Sequence, residues 1–248
     1  MAFAEHLNEF IAKWWYRLER IGPSRLPHAG PAIIASNHVC GADPILIGAS
    51  STHRPMTFLI AAEYAGWPIV RRVVKFLECI PVRRDTRETS ATKQALRVLN
   101  EGKAMVIFIE GGIVGPGEPI RLKDGVATLA LKTGAAVIPT YITGIKYHDS
   151  LLRSLFARHH ARLRMGPPVD LSEFLGEPQT RDKIRAATRR IYDAILDLAP
   201  PEERAAKLAV LQRRSRDQEA PAPDELELRS DEGATPARDH GVEDEVRR

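Results

Sequence analysis

Short apolar runs alternate with stretches of helical periodicity along most of the chain. AIIAS (32–36), MTFLIA (56–61), CIPV (79–82), AMVIFI (104–109) and AVIPTYI (136–142) read as strands. PILIGAS (44–50), WPIVRRVVKFL (67–77), residues 88–101 closed by Gly102, and VATLALKT (126–133) closed by Gly134 carry helical spacing and stop signals. This alternation predicts an α/β fold, with a mostly parallel or mixed central sheet flanked by helices. RDKIRAATRRIYDAILDL (181–198) predicts a further amphipathic helix outside the sheet.

Near the start, Phe3, Leu7, Phe10, Ile11, Trp14, Leu18 and Ile21 recur at helical intervals. They predict an N-terminal amphipathic helix over residues 1–22, ended by Gly22-Pro23. Two readings are open for it. It docks on its own domain, or it lies on a membrane, where Trp and Tyr rings settle; the two are compatible, because a docked helix can still show Trp15 and Tyr16 to lipid.

Composition narrows the class. With 248 residues, 44% of them hydrophobic, the chain is long enough for one domain with a substantial core. Cys40 and Cys79 are too few for a disulfide framework and lack zinc-ligand spacing, which points to a reducing compartment. The N-terminus lacks the pattern of a signal peptide. The richest apolar window, 125–145, is broken by Lys132, Gly134 and Pro139, so no membrane-spanning helix is expected. Charge is uneven. Residues 201–248 hold 9 basic and 13 acidic side chains, leaving residues 1–200 with 27 basic against 19 acidic. The basic body suits an anionic partner such as a phospholipid surface or a phosphorylated substrate. No nucleic-acid recognition motif accompanies the charge, so nucleic acid is not an expected partner. The expected organisation is the helix 1–22, a body 23–200, and a short helix followed by a charged, disordered tail over 201–248.

Candidate chemistry is densest in IIASNHVCGADPILIG (33–48). Five residues of continuous helix would turn His38 about 500° from Asp43, well off a common face. Gly41 and Pro44 offer another geometry. Asp43 suits a helix N-cap and Pro44 the first helical position, which places His38 on the loop feeding the helix. A loop pivoting on Gly41 can fold the imidazole onto the Asp43 carboxylate, fixing its tautomer and freeing the other nitrogen to take a proton from a hydroxyl. On the residues alone a second reading stays open: Asp43 only caps the helix and His38 is a loop residue. His38 and Glu110-Gly111-Gly112 each follow a predicted strand, so both fall at one edge of the sheet. Cys40 is either a thiol nucleophile or a small residue filling a tight loop. His159-His160 have no acidic cluster around them, and no metal site is expected.

NHVCGAD (37–43) matches the N-H-x-x-x-x-D block of the glycerolipid acyltransferase family, of the lysophosphatidic acid acyltransferase type. IPVRRD (80–85), VIFIEGG (106–112), LKDG (122–125) and VIPTYI (137–142) resemble that family's later blocks, in its order, over about residues 30–145. The resemblance implies acyl transfer from acyl-CoA or acyl carrier protein to a lysophosphatidic acid-like hydroxyl in phospholipid synthesis, without metal or redox cofactor. It implies His38 as base and Asp43 as its orienting partner. Arg84, Glu110, Gly111, Gly112 and Lys123 would help hold the lysophospholipid acceptor. It also implies a membrane surface as partner, with the chain peripheral on the cytoplasmic face of the cell membrane. Three departures stand in the third block: Ile109 for proline, Gly112 for threonine and Ile113 for arginine. The last removes a cation expected near an acceptor phosphate. Either Lys123, Arg121 or Arg83 replaces it, or the acceptor is another lysolipid or an amino-acid lipid without a phosphomonoester. A non-catalytic lipid-binding protein on the same fold is the rival reading.

Overall fold

The computed structural model describes residues 9–50, 54–61, 79–82, 89–148, 151–176 and 178–219. Seven strands form one sheet: β1 (Glu19–Ile21), β2 (Ala32–Ser36), β3 (Met56–Ala61), β4 (Ile80–Val82), β5 (Ala104–Phe108), β6 (Ala136–Thr143) and β7 (Arg162–Met165). Their order is β1-β7-β6-β2-β5-β3-β4. β6 and β7 pair antiparallel and the other neighbours pair parallel, so the sheet is mixed, as the alternating pattern implies. The described α-helices are α1 (9–14), α2 (Asp43–Gly48), α3 (Thr89–Asn100), α4 (Gly125–Thr133), α5 (Leu151–Phe156), α6 (Arg181–Leu196) and α7 (Pro201–Glu219). Among the described residues no helix is long and apolar enough to cross a membrane.

Both faces of the central strands are covered, which is why they read as unbroken apolar runs. In β2, Ile33 and Ala35 face one core cluster while Ala32 and Ile34 face the other. β5 divides the same way, with Met105 and Ile107 against Ala104 and Val106. The first cluster is closed by Leu99 from α3, Val126 and Leu129 from α4, and Ile191, Tyr192 and Ile195 from α6. The second is closed by Tyr16, Leu26, Leu46 and Ile47. β2 lies between β6 and β5. Its own chain continues to β3 beyond β5, whereas β5 continues to β6 on the opposite side of β2. The two connections thus cross on opposite faces of the sheet, with α2 packed in one core cluster and α4 in the other, and the loops after β2 and β5 lie side by side at the carboxyl edge.

The structure departs from three expectations. The N-terminal segment is not one helix to residue 21. Its described helix α1 ends at 14, Arg17 takes a left-handed backbone (φ 46°), and Glu19–Ile21 enters the sheet as β1. The i, i+3 spacing of Leu18 and Ile21 imitates a helix, but the backbone partners are supplied by β7, 143 residues away at the Glu19–Arg162 pair. Tyr16 does not face outward. It is buried, and its hydroxyl donates to the Leu155 carbonyl at 2.7 Å. Asp43 is not an N-cap. The cap position is Ala42, without a side-chain cap bond, and Asp43 is the first residue of α2, with its carboxylate turned back onto the preceding loop. The expected helix 67–77 and the arginines Arg83 and Arg84 lie outside the described residues.

Candidate active site

Asn37 begins the site by extending the sheet with a side chain. Its amide nitrogen donates to the Ile142 carbonyl at 2.9 Å, and its amide oxygen accepts from the Ile142 N–H at 2.8 Å. A buried amide carrying both a donor and an acceptor thus replaces the next ladder pair after β2. The backbone is released at a defined point, and the following residue is His38.

The His38 loop closes on one carboxylate oxygen. Asp43 Oδ2 accepts from the Val39 N–H at 2.7 Å, from the Cys40 N–H at 3.0 Å, and lies 2.7 Å from His38 Nδ1. The Asp43 side chain has no exposed surface, while that of His38 is 15% exposed. An ionised carboxylate only accepts, so the proton sits on Nδ1 and Nε2 is the nitrogen with a free lone pair. Of the two readings left open by the residues, the structure has the contact pair. The imidazole also stacks on Phe108, the last residue of β5, with ring centroids 3.9 Å apart and 13° between planes. Nothing in the sequence singles out Phe108 beyond its place two residues before Glu110, at the end of the strand beside β2.

Cys40 fills the loop. It is fully buried, and burial together with the neighbouring Asp43 carboxylate pushes its thiol up to about 12. A thiol held protonated in this way is a poor nucleophile.

Glu110 reaches the same loop from the end of β5. Its Oε2 accepts from the His38 backbone N–H at 3.1 Å. Its Oε1 accepts from the Tyr192 hydroxyl at 3.3 Å and from Lys207 Nζ. Burial, then the Glu110 charge, raise the Tyr192 pKa, so this hydroxyl stays a donor. The Glu110 side chain is fully buried, with both oxygens engaged by protein groups. Lys207 has no counterpart among the sequence candidates. It comes from α7, a helix of 19 residues where only a short one is expected.

Gly111 and Gly112 turn the chain over this edge. Gly111 has φ +73°, and a Cβ there would meet Lys123 Cγ at 2.6 Å, so the lysine stem crosses directly over the glycine. Both a left-handed backbone and a close approach therefore call for glycine at 111. Among the described residues, nothing beyond its chain neighbours lies within 4 Å of where a Cβ at Gly112 would stand. The Val114 N–H meets the His38 carbonyl at 3.5 Å, which lays the loop against the histidine, and Ile113 is 38% exposed beside it. The structure thus brings His38, Asp43, Glu110, Gly111, Gly112 and Lys123 to one edge. Arg84 is the member of the expected set outside the described residues.

A 1-acyl-sn-glycerophosphate acyltransferase of known crystal structure, PlsC from Thermotoga maritima, shares this fold. The TM-score is 0.58 at 20% identity, over 80% of this chain and 82% of that one. The lyso-ornithine lipid O-acyltransferase of Pseudomonas aeruginosa is 30% identical over 145 residues, covering 55% of each chain. The 1-acyl-sn-glycerol-3-phosphate acyltransferase of Borreliella burgdorferi is 32% identical over 120 residues, 48% of each. The chain spans about half the length of these curated relatives. The family pattern described as Acyltransferase matches residues 17–143, from the turn before β1 to the end of β6. That span holds more than half of the chain together with the His38–Asp43 loop and the Glu110 turn, and the chain belongs to the Acyltransferase family.

Proposed function

We propose that this chain transfers a fatty acyl group from a thioester, acyl-CoA or acyl carrier protein, to the hydroxyl of a lysophosphatidic acid-like lipid in phospholipid synthesis. The observation that carries the reading is the 2.7 Å contact between His38 Nδ1 and the fully buried Asp43 carboxylate. With Nδ1 engaged, Nε2 takes the proton of the acceptor hydroxyl as its oxygen bonds to the thioester carbonyl carbon. The carbon–sulfur bond then breaks, and the imidazolium returns the proton to the departing thiolate. Asp43 stabilises the imidazolium between these steps. Arg84, Gly111, Gly112 and Lys123 serve the acceptor side in this reading, whereas Glu110, also expected there, has both oxygens held by His38, Tyr192 and Lys207 and supports the His38 loop instead.

A second acceptor class is favoured by one observation: Ile113, an apolar side chain, is exposed at the edge where the family resemblance expects a cation. That arrangement suits a lysolipid or amino-acid lipid without a phosphomonoester, and one of the relatives is named for a lyso-ornithine lipid. An acceptor panel separates the two. Labelled acyl-CoA and acyl carrier protein are each offered with lysophosphatidic acid, a lysolipid without a phosphomonoester and lyso-ornithine lipid, with products read by mass spectrometry. The first reading expects the highest kcat/KM for lysophosphatidic acid; preference for either other acceptor selects the second. Thioester cleavage with none of them removes both.

The same reading puts the protein on a membrane surface, on its cytoplasmic face. Phe10 and Trp14 are 60% and 70% exposed, and Phe156, from α5, is 70% exposed. The Tyr16–Leu155 hydrogen bond and the Arg158 guanidinium 5.0 Å above the Trp15 ring join the two segments. Lys13, Arg17, Arg153 and Arg158 are exposed around these rings, which suits anionic headgroups. Trp14→Ala combined with Phe156→Ala is expected to weaken binding to phosphatidylglycerol-containing vesicles by about 10²-fold or more, since each buried ring contributes roughly 1.5–3 kcal/mol. Sedimentation of the folded double variant at the wild-type level would remove this surface from the proposal.

A further inference from the structure

Glu110 is a fully buried carboxylate whose cation comes from 97 residues further along the chain. That cation, Lys207, lies one helical turn after Glu203 on the same face of α7. Glu203 accepts from the Tyr141 hydroxyl at 2.9 Å and from the Thr143 hydroxyl, at the carboxyl end of β6. Two polar side chains on one face therefore dock α7 onto the edge of the sheet that carries the site. Leu208 and Leu211 pack the same helix against the core.

A continuous line of bonds leads from this helix to the histidine. Lys207 Nζ donates to Glu110 Oε1, and Glu110 Oε2 accepts from the His38 N–H at 3.1 Å. The ring of that same residue is 2.7 Å from Asp43. We infer that Lys207 is a positioning residue for His38: by neutralising Glu110 it holds that carboxylate as the acceptor of the His38 amide, and so aligns the imidazole. The inference rests on the acyl-transfer reading, and it makes the helix after the matched family region part of the working site. Without Lys207 the buried carboxylate has no countercharge among the described residues, a costly state that is relieved by moving away from the His38 amide. A rearrangement of about 1 Å at a reacting group is enough to cost on the order of 10²-fold in rate.

The test uses the full chain and four variants: Lys207→Met, Lys207→Arg, Glu110→Gln, and Glu110→Gln with Lys207→Met. Thermal melting, kcat, KM for the thioester and the His38 signals of ¹⁵N-histidine-labelled protein are read for each. Lys207→Met is expected to lower kcat on the order of 10²-fold, to leave the thioester KM nearly unchanged, and to shift the His38 amide signal. Lys207→Arg should restore much of kcat by restoring the cation. In the Glu110→Gln background there is no charge to neutralise, so adding Lys207→Met should change kcat little, a coupling that a double-mutant cycle measures. A folded Lys207→Met protein with wild-type kcat, or an unmoved His38 amide, overturns the inference. So does Lys207→Arg no better than Lys207→Met. Should Lys207→Met not fold, the comparison of Glu110→Gln with the double variant decides: equal kcat supports the inference, and a further large fall overturns it. Absence of transfer by the wild-type protein would sink the acyl-transfer reading instead, and the His38 amide signal would still test the link to Lys207.

Discussion

Replacing His38 with alanine is expected to lower kcat by about 10²–10⁴-fold, the usual range for a positioned base. The ring makes two described contacts, the hydrogen bond to Asp43 and the stack on Phe108. The backbone amide, which Glu110 holds, survives the substitution. Folding should therefore be retained, and the loss should fall on the chemical step. Steady-state kinetics beside a thermal melt checks this. A folded His38→Ala protein turning over near the wild-type rate would remove the base mechanism.

The second large effect is expected at Asp43, where asparagine and alanine should differ in kind. Oδ2 receives three N–H donors, so an asparagine should present its oxygen there and keep the loop bonds. What it lacks is the negative charge that stabilises the imidazolium. Asp43→Asn should thus remain folded and lose on the order of 10²-fold or more in kcat. Asp43→Ala also leaves the Val39 and Cys40 amides without their acceptor, at roughly 1–3 kcal/mol for each one kept from water. It should lose activity at least as severely and melt lower. Equal melting temperatures for the two variants would show that the carboxylate does not hold the loop. Equal kcat for Asp43→Asn and wild type would show that its charge plays no part in turnover.

The origin of these effects is unequally legible in the chain. β2 and β3 have the bounds that their apolar runs predict, and β5 and β6 differ by one residue at one end. The reason is local: a strand buried on both faces needs an unbroken apolar run, and glycine or proline closes it. The His38–Asp43 contact is also within reach, because only a few residues separate the partners. The role of Asp43 at its helix is not, since a carboxylate before Pro44 suits a cap equally well. The competing donors, the Val39 and Cys40 amides, become available only once the loop folds.

What the sequence determined by itself is the alternating order of elements and the histidine–carboxylate loop, because both arise from neighbours along the chain. Tertiary structure alone decided the rest. β1 and β7 are only three and four residues long and carry exposed charge; β1 is a strand through its pairing with β7, and β7, whose Leu163 and Met165 alternate inward over too short a run to stand out, is held between β1 and β6. Phe108 reaches His38 because β5 lies in register beside β2, with Phe108 opposite Ser36. Lys207 reaches Glu110 because a late helix docks on the sheet edge. Such partners are chosen by burial and charge neutralisation across long loops, and no local pattern of hydrophobic and polar positions records that choice.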